Sequence, residues 1–225
     1  MTRGSQLLAA IAAWAVALAA GVSLTGSAMA QPQQTPQDPF GGRLGVFEIA
    51  PPPAEAARQA MALGDALRDL PPQRPGQMDV YVIAASLWGD PVFEREATHG
   101  AAALSQHLGA QGRTIVLSAG GQGARTLPAA TPNTLAAALG RIGALIDPNE
   151  DLVVVFLTSH GAADGSAAFR ETNRLGASLR PTHLRDLLAS ANIRNRVVIV
   201  SACFSGAFIA PLMDDNTVVL TAAAF

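Results

Sequence analysis

The clearest strand signal in the chain is Leu152-Val153-Val154-Val155-Phe156-Leu157, six consecutive apolar residues. A run of this kind is typical of a strand that is buried on both faces of a sheet. Similar short apolar runs lie at residues 79–85, 114–117, 197–200 and 217–221. Segments with helical spacing alternate with them, at residues 93–108, 131–146 and 182–191. This alternation predicts an α/β fold, a three-layer sandwich in which helices cover both faces of a mostly parallel sheet.

The first thirty residues have the pattern of a targeting segment. Arg3 precedes an uncharged apolar run at residues 7–24, and Ala28-Met29-Ala30 supplies small residues two positions apart. This order is typical of a signal peptide that is cleaved after Ala30. The alternative is a retained membrane anchor, because the apolar run is nearly long enough to span a bilayer. In both cases we expect the rest of the chain to be exported, either periplasmic or secreted, or held at the inner membrane by residues 7–24.

The segment between the targeting sequence and the first predicted strand has its own composition. Residues 31–40 hold three prolines and four glutamines, which indicates a spacer without a fold of its own. A stretch rich in alanine and leucine at residues 54–70 predicts one helix, bracketed by prolines. We therefore divide the chain into a signal peptide or anchor at residues 1–30, a Pro/Gln-rich linker with a helix at 31–77, and an α/β domain at 78–225.

Composition excludes several classes of function. The 225 residues include 15 basic and 17 acidic side chains and only 5% aromatic residues, so nothing indicates a nucleic-acid partner. The single cysteine, Cys203, excludes an intrachain disulfide and a multi-cysteine zinc site. His99 and His107 have no carboxylate or cysteine at ligand spacing, and the glycine-rich segment 120–123 lacks the lysine of a phosphate-binding loop. We expect no metal and no cofactor.

Polar residues follow two of the predicted strands. The strand at residues 152–157 continues into Thr158-Ser159-His160-Gly161, and the strand at 197–200 continues into Ser201-Ala202-Cys203. In parallel sheets, functional residues collect at the carboxyl ends of the strands. One loop and one helix connect these two strands, so we expect them to be neighbours. That arrangement would place His160 and Cys203 side by side at one rim of the sheet.

A thiol beside an imidazole is a nucleophile arrangement. The imidazole can take the thiol proton, and the thiolate can then attack a carbonyl carbon. The N–H groups of Gly161 and Cys203 could stabilise the oxyanion that this attack produces. A lone cysteine is more often an inert buried residue, and a lone histidine is more often structural. The pair at consecutive strand ends, in a chain expected to be exported, favours the catalytic interpretation.

These two motifs resemble those of the clan of cysteine peptidases that includes legumains, caspases, gingipains and separases. The clan signature is His-Gly after one strand and Ala-Cys after the next, here His160-Gly161 and Ala202-Cys203. The sequence is most similar to the legumain-like family, peptidase family C13, in its bacterial branch, over residues 78–225. The resemblance implies a caspase-like sandwich and a polypeptide substrate. It also implies that Cys203 is the nucleophile, that His160 is the general acid/base, and that the backbone N–H groups of Gly161 and Cys203 bind the oxyanion.

Several positions depart from the legumain pattern. Legumains have an acidic residue two positions before the cysteine, in the pocket for the P1 side chain, whereas this chain has Ser201. Ser201 therefore gives no support for a P1 preference for Asn or Asp. Legumains also place an Asn after the first strand to orient the histidine, and residues 85–88 contain none. Arg95 is the candidate for a substrate-binding arginine. Family members continue with further substrate-pocket elements at the point where Phe225 directly follows the last predicted strand, so we expect either a C-terminally truncated domain or a degenerate copy.

Two functions stay open from the sequence. The first is an exported cysteine endopeptidase or transpeptidase that works through a thioester acyl-enzyme. The second is a catalytically inactive family member that binds a peptide or an envelope partner. The first predicts an accessible Cys203 within reach of His160, and the second predicts a buried or unreactive Cys203. Neither involves nucleic acid, and membrane contact is expected only through an uncleaved N-terminal segment.

Overall fold

The computed structural model describes residues 47–120, 123–171 and 174–224. The signal peptide or anchor predicted at residues 1–30 and the spacer predicted at 31–40 lie outside these ranges. Within them, no helix combines the length and the apolarity that crossing a membrane requires.

The described part of the chain contains eight strands, five α-helices and two short 3-10 helices. The strands are β1 (Phe47–Glu48), β2 (Val80–Ser86), β3 (Thr114–Ser118), β4 (Leu152–Thr158), β5 (Ala167–Glu171), β6 (Leu175–Leu179), β7 (Arg196–Ser201) and β8 (Thr217–Thr221). The helices are α1 (Pro53–Arg68), α2 (Pro91–Leu108), α3 (Pro132–Gly143), α4 (Pro181–Ser190) and α5 (Ile209–Leu212).

Five of these strands form the central sheet, in the order β3-β2-β4-β7-β8. Every neighbouring pair in it is parallel. The five apolar runs found in the sequence are these five strands, so the predicted α/β fold with a mostly parallel sheet is confirmed. The register aligns Ser86, Thr158 and Ser201 across β2, β4 and β7. Polar residues thus end three adjacent strands at one rim.

Helices lie on both faces of the sheet, which confirms the three-layer arrangement. Because successive side chains of a strand point to opposite faces, β4 divides its residues between two layers. On one face Val153, Val155 and Leu157 belong to a hydrophobic core that includes Leu135 of α3 and Leu184 of α4.

On the other face Phe156 of β4 packs against α2. A Cβ atom at Gly100 of α2 would lie 2.4 Å from a carbon of the Phe156 ring. The absence of a side chain at Gly100 therefore lets α2 approach the sheet closely. This contact sets the position of the first turn of α2 relative to the end of β4, where the site lies.

A second, smaller sheet was not predicted. Strands β5 and β6 form an antiparallel hairpin, and β1 pairs with β6 on its other side. The sequence predicts only a loop between the strand at 152–157 and the helix at 182–191. The hairpin is joined to the rim of the main sheet by two isolated bridges, Trp88 with Arg170 and Gly161 with Ala167.

The helix predicted at residues 54–70 is α1, and it contacts α3. The Gln59 side-chain oxygen accepts a hydrogen bond from the Ala129 N–H at 2.5 Å, and Arg141 donates to the Leu67 carbonyl at 3.0 Å. These bonds connect the helix before the first main strand to the layer that covers the sheet.

Candidate active site

His160 and Cys203 follow neighbouring strands at the same rim of the central sheet. His160 comes two residues after β4 and Cys203 two residues after β7, with Thr158 opposite Ser201 in the register. The ladder continues for one more bond, in which the Ser159 N–H donates to the Ser201 carbonyl at 3.1 Å. The prediction that the two strands are neighbours is confirmed.

The backbone at Gly161 packs closely against the backbone at Cys203. A Cβ atom at position 161 would lie 1.7 Å from the Cys203 carbonyl oxygen and 3.0 Å from the Cys203 nitrogen. Only glycine fits such an approach, because any side chain would overlap with the neighbouring peptide. The His-Gly and Ala-Cys motifs are therefore in direct contact through their main chains.

Three residues from the segment after β2 surround the His160 ring. The rings of Trp88 and Phe93 each make an edge-on contact with the imidazole, at centroid distances of 4.9 Å. The carboxylate of Asp90 lies 3.6 Å from His160 Nε2, with both side chains more than half exposed. The two aromatic rings orient the imidazole, and the carboxylate places a negative charge beside it.

Asp90, Trp88 and Phe93 are not among the site residues predicted from the sequence. Residues 85–88, where the legumain pattern has an Asn, contain none. A signal was nevertheless present, because Trp88-Gly89-Asp90 lies just beyond the predicted strand at residues 79–85, as the two motifs lie just beyond theirs. An Asp before a proline also marks the start of a helix, and Asp90 is the N-cap residue of α2.

Cys203 is exposed to solvent. The chain turns sharply after it, since Phe204 adopts a left-handed conformation with φ of 56°. A bulky residue takes this conformation rarely and at a cost, so the turn at the strand end is strained. No hydrogen bond joins the Cys203 sulfur to the His160 ring among the described residues. In unliganded enzymes such contacts are often long and shorten when substrate binds.

The N–H of Gly161 points away from the β5–β6 hairpin. Two bonds flank its bridge to Ala167, from the Ala162 N–H to the Ser166 carbonyl and from the Ala168 N–H to the His160 carbonyl. In an antiparallel pair of this kind, the central residue turns its N–H outward from the partner strand. Among the described residues, neither this N–H nor that of Cys203 has a hydrogen-bond acceptor.

The turn between Gly161 and β5 is held by Asp164. Its carboxylate accepts hydrogen bonds from the Ser166 hydroxyl at 2.6 Å and from the Ser166 N–H at 3.0 Å. These bonds, the one from the hydroxyl first, hold the pKa of Asp164 below its usual range. The charged carboxylate therefore stabilises the turn that follows the His-Gly motif.

Ser201 and Arg95, the two predicted substrate-binding residues, lie in different surroundings. Ser201 is half-buried at the end of β7, and its hydroxyl is 3.4 Å from Glu96 Oε2. Arg95 is exposed on α2 and makes no described contact with His160 or Cys203. Glu96 is the next residue along the helix, and it faces the strand ends.

Two further features of the described residues concern the chemistry available at this rim. The Ser205 side chain is buried and exchanges hydrogen bonds with the Ala223 backbone, at 3.2 and 3.4 Å, so it is not placed as a nucleophile. No group of three or more His, Cys, Asp or Glu side chains in the described ranges is arranged to hold a metal ion.

The comparisons with known proteins support the resemblance over part of the chain. A model of the peptidase C13 family matches residues 133–225. The matched segment begins at the start of α3 and includes both motifs. Asp90, the N-cap residue of α2, and Glu96, within α2, precede it. No curated protein matches the chain. Over residues 133–225, therefore, the chain is similar to the peptidase C13 family, and the parallel sheet that places His160 and Cys203 at one rim agrees with that match.

Proposed function

We propose that this chain is an exported cysteine endopeptidase or transpeptidase in which Cys203 attacks a peptide carbonyl. The observation that carries the proposal is that an exposed thiol and an imidazole follow the ends of neighbouring strands at one rim. The contact between the Gly161 and Cys203 backbones supports it, because it holds the two motifs together. Export is proposed from the targeting pattern of residues 1–30.

The chemistry follows from the groups at the rim. His160 takes the proton of the Cys203 thiol, and the thiolate forms a bond to the carbonyl carbon. The C–N bond then breaks, the amine leaves with the proton from the imidazolium, and a thioester remains on Cys203. Water that attacks this thioester completes hydrolysis, whereas an amine completes transpeptidation.

The surrounding residues supply electrostatic stabilisation. Asp90 lies beside the Nε2 atom of His160 and favours the imidazolium that forms when the thiol loses its proton. The N–H groups of Gly161 and Cys203 are available to the oxyanion, and one such donor contributes about 3–4 kcal/mol to stabilisation of a transition state.

One observation favours the alternative, a member of the family that binds peptides without cleaving them. In this structure the His160 ring contacts Trp88, Phe93 and Asp90, and no hydrogen bond joins it to the Cys203 sulfur. A ring that stayed in this position would leave the thiol without its base.

Cleavage of a mixed peptide library, followed by mass spectrometry, separates the two functions. The purified chain should cut peptides, and Cys203→Ala and His160→Ala should not, with circular dichroism confirming that all three fold. His183→Ala, which removes an exposed histidine on α4, is the matched control and should cut normally. Unchanged cleavage by the folded Cys203→Ala protein would refute the nucleophile. A folded wild type that cuts nothing would favour the binding function.

A further inference from the structure

One carboxylate connects the two strand ends that precede the motif residues. Glu96 Oε2 accepts hydrogen bonds from Thr158 Oγ1 at 2.5 Å and from Ser201 Oγ at 3.4 Å. Thr158 comes two residues before His160, and Ser201 comes two residues before Cys203. Glu96 therefore lies next to both halves of the candidate active site.

Glu96 also lies on the side of α2 that faces the histidine. It is one helical turn from Phe93, whose ring contacts His160, and residues three apart lie on the same side of a helix. Arg95 is exposed on a different side of the same helix. The carboxylate is thus directed at the rim, and it is held there by two hydroxyl groups.

The second carboxylate oxygen of Glu96 is open. No described donor bonds to Oε1, and this atom is not among the buried side-chain atoms that lack a partner, so it is accessible to solvent. None of the ion pairs formed by the described residues includes Glu96. A carboxylate in this position has an oxygen free for a cation that enters the site.

We propose that Glu96 determines substrate specificity, by selecting a peptide with Arg or Lys at P1, the residue whose carbonyl Cys203 attacks. The inference rests on the proposed function, because it assigns the pocket of the same site. Residues two apart on a strand are roughly 7 Å apart, a distance that a long basic side chain spans from the reacting carbonyl. Its charged end would then reach Oε1 and form a charge-assisted hydrogen bond.

A guanidinium also lies near the site, and a pocket formed by it would prefer an acidic P1 residue. Arg170 of β5 stacks over the Trp88 ring, with its Cζ atom 5.2 Å from the centroid, and Trp88 contacts His160. Arg170 reaches the site from the hairpin, whereas Glu96 lies at the strand ends themselves. The same experiment includes an acidic P1 residue, so that a pocket formed by Arg170 would be recognised.

The test compares peptides that differ only at P1, with arginine, citrulline or glutamate. Citrulline has the shape of arginine without its charge. Wild type should cleave the arginine peptide with a kcat/KM roughly 10- to 100-fold above that of the citrulline peptide, as expected for one charge-assisted hydrogen bond. Glu96→Gln, which keeps an oxygen for Thr158 and Ser201, should bring this ratio close to one. Glu150→Gln, at the opposite rim, is the matched control and should keep the wild-type ratio.

Three results would overturn the inference. One is a wild-type ratio near one, which needs no variant and so does not depend on the folding of Glu96→Gln. Another is an equal loss of both activities in Glu96→Gln, which is the result expected if Glu96 only fixes the strand ends. The third is a wild-type preference for glutamate.

A binding measurement separates this inference from the proposed function. Cys203→Ala is titrated with the same labelled peptides, and fluorescence anisotropy reports binding without turnover. Arginine-selective binding that disappears in the Cys203→Ala, Glu96→Gln double variant would support the pocket even if wild type cleaved nothing. Cleavage without any preference for arginine, in turnover or binding, would refute the pocket and leave the peptidase function standing.

Discussion

At the scale of single residues, His160 depends on neighbours from outside the two motifs. Trp88 and Phe93 bracket its ring, and Asp90 places a carboxylate 3.6 Å from Nε2. Trp88 and Asp90 belong to the segment that joins β2 to α2, and Phe93 lies in the first turn of α2. The base of the proposed reaction is thus positioned by the strand next to its own, and Asp90 is a positioning residue because it acts through His160.

Replacement of Asp90 by Asn should lower kcat/KM about tenfold, because the imidazolium loses a nearby negative charge. The pair is exposed, so salt screens it. Raising the ionic strength should therefore slow the wild type towards the variant, while the variant itself should respond little. Steady-state kinetics at low and high salt measure both effects. Asp186→Asn, which changes an exposed carboxylate on α4, is the control.

The same salt dependence in wild type and Asp90→Asn would contradict an electrostatic role for this carboxylate. It would indicate that Asp90 matters only as the N-cap residue of α2.

At the scale of elements, the two ends of the parallel strands carry different groups. The rim at the carboxyl ends of the strands (the carboxyl rim) carries the motif residues. The rim at their amino ends (the amino rim) carries a buried charge network around Asp79. The Asp79 carboxylate accepts bonds from the Arg74 side chain at 2.7 Å, from the Arg74 N–H at 2.7 Å and from Arg113 at 3.3 Å. This network joins the segment before β2 to the segment before β3, and so stabilises the sheet that holds the site.

The charge state of Asp79 links this network to pH. Burial alone would raise the pKa of Asp79, but the hydrogen bonds from Arg74 and the charge of Arg113 outweigh burial and lower this pKa below its usual value. A carboxyl whose pKa is lower in the folded state stabilises the fold above its unfolded pKa of about 3.9. That contribution is lost as the pH falls through the lower, folded value.

Replacement of Asp79 by Asn should therefore lower the free energy of unfolding by about 3 kcal/mol at pH 7, since Arg113 stays largely buried without its counter-charge. The difference from wild type should shrink as the pH falls below about 4, because the unfolded carboxyl is then protonated, and it should vanish only once the folded carboxyl is protonated as well. Urea denaturation at pH 7 and at pH 3 measures it. Asp215→Asn, an exposed carboxyl, should have little effect at either pH. A difference that stayed constant with pH would contradict the argument.

Elements buried on both faces were predictable, and the hairpin was not. Strand β4 is a continuous apolar run because helices cover both of its faces, and such a run indicates a strand without knowledge of its partners. Strands β5 and β6 instead include Arg170, Glu171, Gly176 and Ser178 among their apolar residues. Their β structure depends on pairing with each other, with β1 and with the rim, which local sequence does not encode.

At the scale of the whole molecule, the topology produces the site. The positions of His160 and Cys203 were predictable because parallel strands end at one rim, so residues 43 positions apart in sequence come together. Asp90 and Glu96 were not predicted, because their roles depend on how α2 packs against β4. That packing uses Gly100 and Phe156, which have no chemical function of their own.

In the layered fold, the residues that stabilise the protein and the residues of the candidate site lie in different places. The core lies between the sheet and its helices, and the candidate site lies at the exposed carboxyl rim. The strained turn at Phe204 belongs to that rim as well. Substitutions of the rim residues should therefore change activity more than stability, whereas changes at the amino rim should do the reverse.

The most direct test of the account is capture of the thioester on Cys203. The wild type is mixed with a peptide ester, quenched in acid within seconds and measured by intact-protein mass spectrometry. Wild type should gain the mass of one acyl group, peptide mapping should place it on Cys203, and hydroxylamine should remove it. His160→Ala should gain little, and Cys203→Ala nothing. An acyl group that forms equally on Cys203→Ala, or its absence from folded wild type with a peptide that the protein cleaves, would contradict Cys203 as the nucleophile.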